Sequence, residues 1–503
     1  MNARLILDWH FPIGGVNNRL FGVFVEHMGR SIYHGLYEPG HPEADEDGFR
    51  KDVMKLASGF KSPIIRYPGG NFVSGYRWED GIGKKEERPS RTDVAWHSIE
   101  SNEIGIHEFV RWVEKIDSSV MMAVNLGTRG AEDAKNLLEY CNFPKGTYYS
   151  DLRRKNGREE PFDIRVWCLG NEMDGPWQIG AKTADAYGRL AYETGALMKR
   201  MDPSLELVVC GSSSEEMPTF GAWETTVLEH TYEIADYISL HRYFGNSEND
   251  TASYLGCAQA MDRFIHDVTS ICDSVKAVKR SRKTINLSFD EWNVWSASSY
   301  KKGYDDPKAM WVNAPIREEY SYSLEDALAF GCLIITLLKN CDRVKMACLA
   351  QLINVAAPIM TENYGSSWAQ TTYYPFQQAS LFGRGLALKP VVECEHYITE
   401  KYGDVSYLES VAVFHEEESE LVVFAVNRSL TDEIYLTVVF RDINHFELLE
   451  HIVLNHDDLG ARNDRENPRR VLPYNRNEIR VEGGCAVLKL EKHSWNTIRL
   501  RVR

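Results

Sequence analysis

No Cys-x-x-Cys pair occurs in the 503 residues, although ten cysteines are present. Cys168, Cys210 and Cys348 sit inside apolar, strand-like runs. The scatter excludes a disulfide framework and a zinc ribbon, leaves reduced buried thiols, and makes the cytoplasm the expected compartment. Missing too is any apolar stretch long enough for a bilayer. The longest uncharged run, Ala327 to Leu338, reads instead as a buried helix, so no membrane partner is expected. Met1 to Phe11 has no basic stretch followed by an apolar segment and a cleavage site, so no secretory leader is expected. Positive charge is in deficit: the formal net charge is −16, which repels phosphate-rich partners and argues against nucleic acid.

Several catalytic signatures are also absent. Gly81-Ile82-Gly83 and Gly383-Arg384-Gly385 are not continued as phosphate-binding loops. His107-Glu108 has Arg111 where a zinc helix needs a second histidine, so no metal site is expected there. No Gly-x-Ser-x-Gly elbow follows a strand, which removes the serine hydrolases.

What is present is a soluble composition, 43% hydrophobic and 26% charged, on a chain too long for one ordinary core. The 12 Trp and 25 Tyr suit core packing or the apolar faces of sugars, and composition alone does not choose. Short apolar runs bounded by turn residues give eight strands: Phe21–Glu26, Pro63–Tyr67, Val120–Asn125, Ile164–Leu169, Leu205–Cys210, Tyr237–His241, Thr284–Phe289 and Val344–Leu349. Between them lie helical patterns such as Asp47–Ala57, Ile106–Lys115, Ala131–Cys141, Thr183–Met201 and Cys257–Val278. Thr183 and Ser323 look like N-caps. This alternation predicts an α/β fold, a closed (β/α)₈ TIM barrel over residues 16–384. From residue 385 to 503 the pattern turns to alternating strands, predicting a C-terminal antiparallel β-sandwich, joined by an N-terminal strand from residues 1–15. The acidic run Glu416–Ser419 is expected to be a solvated hairpin turn.

In such a barrel the chemistry sits where strands end. The fourth strand delivers Asn171-Glu172 and the seventh Asp290-Glu291, each amid Trp and amide side chains. A single strand-end carboxylate is most often a solvated group or a loop anchor. Two that converge are the equipment for glycosidic cleavage, one protonating the leaving oxygen and one meeting the anomeric carbon. Asp174 and Asp290 are taken as structural. Glu26, Asn71, Asn125, His241, Tyr243 and Gln351 end other strands and are expected to line the same small polar pocket, with Trp96 on a lid-like loop.

The segments FGVFVEHMG (21–29), RYPGGNF (66–72), WCLGNEMDGPWQ (167–178), SLHRYFGN (239–246), FDEWNVW (289–295) and AQLIN (350–354) resemble the α-L-arabinofuranosidases of glycoside hydrolase family 51. The resemblance implies a retaining, exo-acting enzyme that removes arabinofuranosyl groups from arabinoxylan or arabinan oligosaccharides without a cofactor. Glu172 then corresponds to the acid/base and Glu291 to the nucleophile. Asn171 would hold the sugar 2-hydroxyl, and Tyr243 would hydrogen-bond the nucleophile. Glu26, Asn71 and Gln351 would fix other hydroxyls, while Trp96 shapes the wall beside the scissile bond. A homo-oligomer, often a hexamer in this family, is also implied. The rival expectations are a β-xylosidase or endo-β-glucanase on the same scaffold, and a catalytically silent carbohydrate-binding protein.

Overall fold

The computed structural model of the protein describes residues 1–296 and 310–503. Eight parallel strands close into a ring: β1 (Gly22–Phe24), β2 (Ile64–Tyr67), β3 (Ser119–Val124), β4 (Val166–Leu169), β5 (Glu206–Val209), β6 (Tyr237–Gly245), β7 (Asn286–Trp295) and β8 (Val344–Ala350). Their side chains alternate between two apolar environments, the periodicity a pleated strand imposes. One set, including Ile64, Met121, Val166, Cys168, Val208 and Met346, fills the barrel lumen. The other, including Val23, Ile65, Met122, Leu169, Val209 and Leu287, faces the surrounding helices. The lumen is therefore a packed core, and a ligand can enter only above it, at the carboxyl ends of the strands.

The eight expected strands are the eight observed, but β6 and β7 run further. His241–Gly245 pairs with Glu291–Trp295 in parallel register beyond a bulge at Ser239/His241. Asp290, Glu291 and Tyr243 thus belong to strands, not to the loops after them. Polar residues suggested a turn; the inter-strand hydrogen bonds keep the backbone extended. The first barrel helix also begins later than expected, at Lys51. Asp45 instead folds the preceding residues into a turn, its Oδ1 accepting from the Asp47 and Phe49 amides at 3.0 and 2.9 Å. The expected caps hold. Thr183 accepts from the Ala186 amide, and Ser323 exchanges hydrogen bonds with Asp326 to open the buried helix Leu324–Lys339.

The C-terminal region forms two facing sheets, one of five strands and one of seven. The turn Glu416–Ser419 joins two strands of the larger sheet, Leu408–His415 and Glu420–Asn427. Strand Asn2–Leu7 lies in the smaller sheet, antiparallel to Val391–Glu393 but parallel to Ile434–Phe440. The larger sheet packs on the barrel, and one apolar cluster runs from Phe330 and Phe376 on barrel helices to Val411, Phe424 and Trp495. Gly331 permits the approach, since a Cβ there would sit 2.6 Å from the Trp495 ring. Lys339 and Arg428 both pair with Glu409, at 2.9 and 2.7 Å, stitching helix to sheet. All ten cysteines are free, eight of them buried. Among the described residues no helix is long and apolar enough to cross a membrane.

Candidate active site

A cavity of about 580 Å³ opens over the carboxyl ends of the strands, within the range of ligand-binding clefts of ~300–1,000 Å³. Glu26, Asn71, Trp96, Asn171, Glu172, Tyr243, Glu291 and Gln351 all line it.

At its floor, a carboxylate oxygen of Glu172, one of Glu291 and a ring nitrogen of His241 lie within 4.8 Å of one another. Carboxylate oxygens this near one another accord with the close pairing, ~5–5.5 Å between carboxyl groups, of retaining glycosidases. Each carboxylate is held from both oxygens. Arg66 Nη1 donates to Glu291 Oε1 at 2.7 Å, and the Tyr243 hydroxyl donates to Oε2 at 2.8 Å. Trp177 Nε1 donates to Glu172 Oε2 at 2.7 Å, and His241 Nδ1 bonds Oε1 at 2.9 Å. Glu172 adopts a left-handed backbone (φ 43°) two residues after Gly170 (φ 92°). Strain of this kind persists only where surrounding contacts impose it, and it turns the Glu172 side chain back over the barrel.

His241 also bonds Asp290 through Nε2 at 2.9 Å. Burial alone would lower its pKa, but the Glu291 charge and the hydrogen bonds to Asp290 and Glu172 raise it to about 10. The ring is therefore a cation at neutral pH, donating through Nε2 to the Asp290 carboxylate and through Nδ1 to the Glu172 carboxyl group. Three donors at this spacing could hold a metal ion in another setting. Here the imidazolium and the Arg66 guanidinium already supply the positive charge and occupy the donor atoms, which disfavours a third cation.

The opposite wall centres on Glu26, a fully buried carboxyl. Its Oε1 accepts from the Phe72 amide at 2.9 Å and from Trp96 Nε1 at 3.0 Å, and Oε2 from Gln351 Nε2 at 3.4 Å. Burial first, then the charge of Glu291, pushes its pKa up to about 8, so Glu26 carries a proton at neutral pH. Gly70 makes room for it, because a Cβ there would lie 2.6 Å from both carboxyl oxygens. Asn171 accepts from Arg66 Nη2 at 2.7 Å and donates to Asn71 Oδ1 at 3.4 Å, linking the two walls.

Two expectations need correction. Asn125 does not reach the cavity: its Oδ1 accepts from the Gly127 and Thr128 amides, and its amide nitrogen donates to Tyr76 O, making it the pin of a tight turn. His241 lies beneath the cavity as the brace between carboxylates. Asp174 and Asp290 do hold neighbours, Asp174 the Ser213 amide and Asp290 the His241 ring. The residue the sequence reading passed over is Arg66. A charge inside the buried strand Ile-Ile-Arg-Tyr must be paired, and that was the available signal. Trp177, Ser213, Ser214, Glu216 and Arg242 also line the cavity without having been singled out.

Comparison with known proteins places this geometry in a family. The α-L-arabinofuranosidase 1 domain model matches residues 56–253, and the α-L-arabinofuranosidase C-terminal domain model matches 290–494. The chain is 53% identical over 499 residues to an intracellular exo-α-(1→5)-L-arabinofuranosidase of Acetivibrio thermocellus, covering 99% of both proteins. It is 48% identical over 508 residues to an exo-α-(1→6)-L-arabinofuranosidase of Bifidobacterium longum, covering 99% of this chain and 97% of the relative. A solved family 51 α-L-arabinofuranosidase from Bifidobacterium longum superposes with a TM-score of 0.94 at 43% identity, covering 99% of each chain. The chain belongs to the α-L-arabinofuranosidases of glycoside hydrolase family 51.

Proposed function

We propose that the protein is an exo-acting α-L-arabinofuranosidase that works with retention, Glu291 serving as nucleophile and Glu172 as acid/base. The observation that carries the assignment is the approach of these two carboxylates within 4.8 Å at the cavity floor. In the first step Glu291 attacks the anomeric carbon while Glu172 protonates the departing oxygen. In the second, Glu172 takes a proton from water, which releases the sugar from Glu291. Arg66 and Tyr243, each donating to a different oxygen of Glu291, hold it for attack. The protonated Glu26, with Asn71, Asn171 and Gln351, offers both donors and acceptors to the arabinose hydroxyls, and Trp96 closes the wall.

The substrate class is the arabinofuranosyl-bearing oligosaccharide. Relatives of about 50% identity carry both (1→5) and (1→6) in their names, so linkage preference is set by fewer residues than the fold. The relative from Acetivibrio thermocellus is named intracellular, in keeping with a cytoplasmic site and ten free thiols. We take residues 16–384 as the catalytic unit and 385–503 with 1–15 as the sandwich, in a homo-oligomeric enzyme. Release of 4-nitrophenol from 4-nitrophenyl α-L-arabinofuranoside, with the β-configured alternatives as controls, tests the activity. NMR of the first-formed sugar tests retention. No release, or an inverted product, would overturn the assignment.

A further inference from the structure

We infer that Asp290 is a positioning residue of the first half-reaction: it keeps His241 charged, so that a cation stands beside Glu172 as that residue gives up its proton. The inference rests on the proposed roles of Glu172 and Glu291. Asp290 is buried on β7 and does not line the cavity, so it acts on the reaction only through its neighbours. Its Oδ1 accepts from His241 Nε2 at 2.9 Å, and Nδ1 of the same ring donates to Glu172 Oε1 at 2.9 Å. Its Oδ2 faces Arg66 Nε and the Cys168 thiol, each at 3.8 Å.

A carboxylate can only accept, so a ring that serves Asp290 through one nitrogen and Glu172 through the other donates from both. Burial works against the resulting charge. The strongest influence in its favour is the Glu291 carboxylate, 3.7 Å from Nδ1, ahead of the hydrogen bonds to Asp290 and Glu172. The first half-reaction removes that influence. Glu291 bonds to the anomeric carbon, the glycosidic C–O bond breaks with its electron pair on the departing oxygen, and that oxygen takes the proton of Glu172. Glu291 thereby becomes a neutral ester while Glu172 becomes a carboxylate. The ring exchanges one anionic neighbour for another, and Asp290, whose bonding does not change, holds its charge through the exchange.

Charge that develops only in the transition state is where a fixed cation accelerates a reaction. Before the step Glu172 is a neutral acid, which a nearby cation stabilises little. As the proton leaves, negative charge grows 2.9 Å from an imidazolium already in place. Oε1 accepts from Nδ1 throughout, which leaves Oε2 to carry the mobile proton. A protonated carboxyl oxygen still accepts, so Trp177 Nε1 can keep its 2.7 Å bond there. Arg66 cannot take over from the ring, because its guanidinium reaches Glu291 and Asn171. The thiols of Cys168, Cys210 and Cys348 near the pair are kept neutral by burial. Asp174 and Tyr243, which also feel the charge of Glu172, are untouched by a change at Asp290.

The test is Asp290→Asn, which keeps the shape and removes the charge. It compares kcat/KM on methyl α-L-arabinofuranoside, whose leaving group needs the proton, with kcat/KM on 4-nitrophenyl α-L-arabinofuranoside, whose leaving group needs it little. The ratio of methyl to aryl glycoside is expected to fall about tenfold, the worth of one charge-assisted hydrogen bond. The alkaline limb of the kcat/KM profile on the methyl glycoside should also move to higher pH, because Glu172 without a cation beside it holds its proton longer. Aryl glycoside turnover reports that the variant is folded. Should Asp290→Asn fail to fold, His241→Gln, which keeps a neutral donor towards Glu172, must show the same two changes. A ratio within about twofold of wild type, or equal loss on both substrates with the alkaline limb unmoved, would overturn the role of Asp290 and leave the activity standing. Wild type hydrolysing neither substrate would overturn both.

Discussion

A buried guanidinium with no water to solvate it has to be placed against anions, and Arg66 obeys that rule. Its fork reaches Glu291 and Asn171, its Nε lies 3.8 Å from Asp290, and those carboxylates raise its pKa well above the ordinary range despite burial. The same logic divides labour between the two catalytic candidates. Glu291 is gripped by a cation and a phenol, whereas Glu172 is met by an indole and an imidazolium on a strained turn. Glu172→Ala should therefore lose ~10²–10⁴-fold on substrates with poor leaving groups and little on activated aryl glycosides. Equal impairment of both substrates would contradict the acid role. Glu291→Gly should abolish hydrolysis but form a glycosyl azide when azide is supplied, which mass spectrometry would detect.

Glu26 yields a prediction about stability. In the unfolded chain a glutamate titrates near ~4.3, but in the fold this one titrates near about 8. Between those values the native state holds a proton that the unfolded state has lost, so Glu26 makes stability fall as pH rises. Glu26→Gln removes that dependence and keeps an acceptor for Phe72 and Trp96. Its melting temperature relative to wild type should climb between about pH 5 and about pH 8, while activity falls. A constant difference across that range would show that Glu26 is not buried as a neutral acid.

Among the secondary elements, the hairpin Arg91–Asp93/Ser98–Glu100 carries Trp96 to the cavity and is pinned by its last residue. Glu100 bonds His27 Nδ1 at 2.8 Å, accepts from the Tyr33 hydroxyl, and accepts from the Asn102 amide at 2.6 Å. Glu100→Ala leaves His27 and Tyr33 without their carboxylate, so the Trp96 wall should loosen. KM on the aryl glycoside is expected to rise about tenfold, with kcat changed less, because Glu172 and Glu291 hang from other strands. A drop in kcat at constant KM would count against this reading.

That hairpin also marks where the sequence stops being legible. The eight barrel strands announce themselves because each is a short apolar run buried on both faces, and the order of polar residues at their ends located both carboxylates. Two-residue polar extensions such as Arg242-Tyr243 and Asp290-Glu291 look like turns, since their backbone partners lie in another strand and only the fold reveals the pairing. Asn125 ends a strand as Asn171 does, yet its side chain turns back onto its own loop. Arg66 could have been found by asking what neutralises a charge in a buried strand. The Glu26 wall and the His241 brace join residues far apart in the chain, and no local spacing encodes them.

For the chain in its entirety, the question is whether barrel and sandwich unfold together. Their interface is continuous core: Trp495, fully buried, lies over Gly331 of helix Leu324–Lys339 and donates to Gln378 at 2.8 Å. Nearby, Glu409 is shared by Lys339 of the helix and Arg428 of the sandwich region. Severing such an interface would expose apolar surface on both sides and part Lys339 from Glu409, so neither part has a cheap way to open alone. Calorimetry of the intact chain should then show a single cooperative transition. Trp495→Ala, which leaves a large cavity at the junction, should destabilise by ~3–5 kcal/mol and lower that transition as a unit. If the variant instead splits the trace into two, with one component unmoved, the two regions are independent folding units.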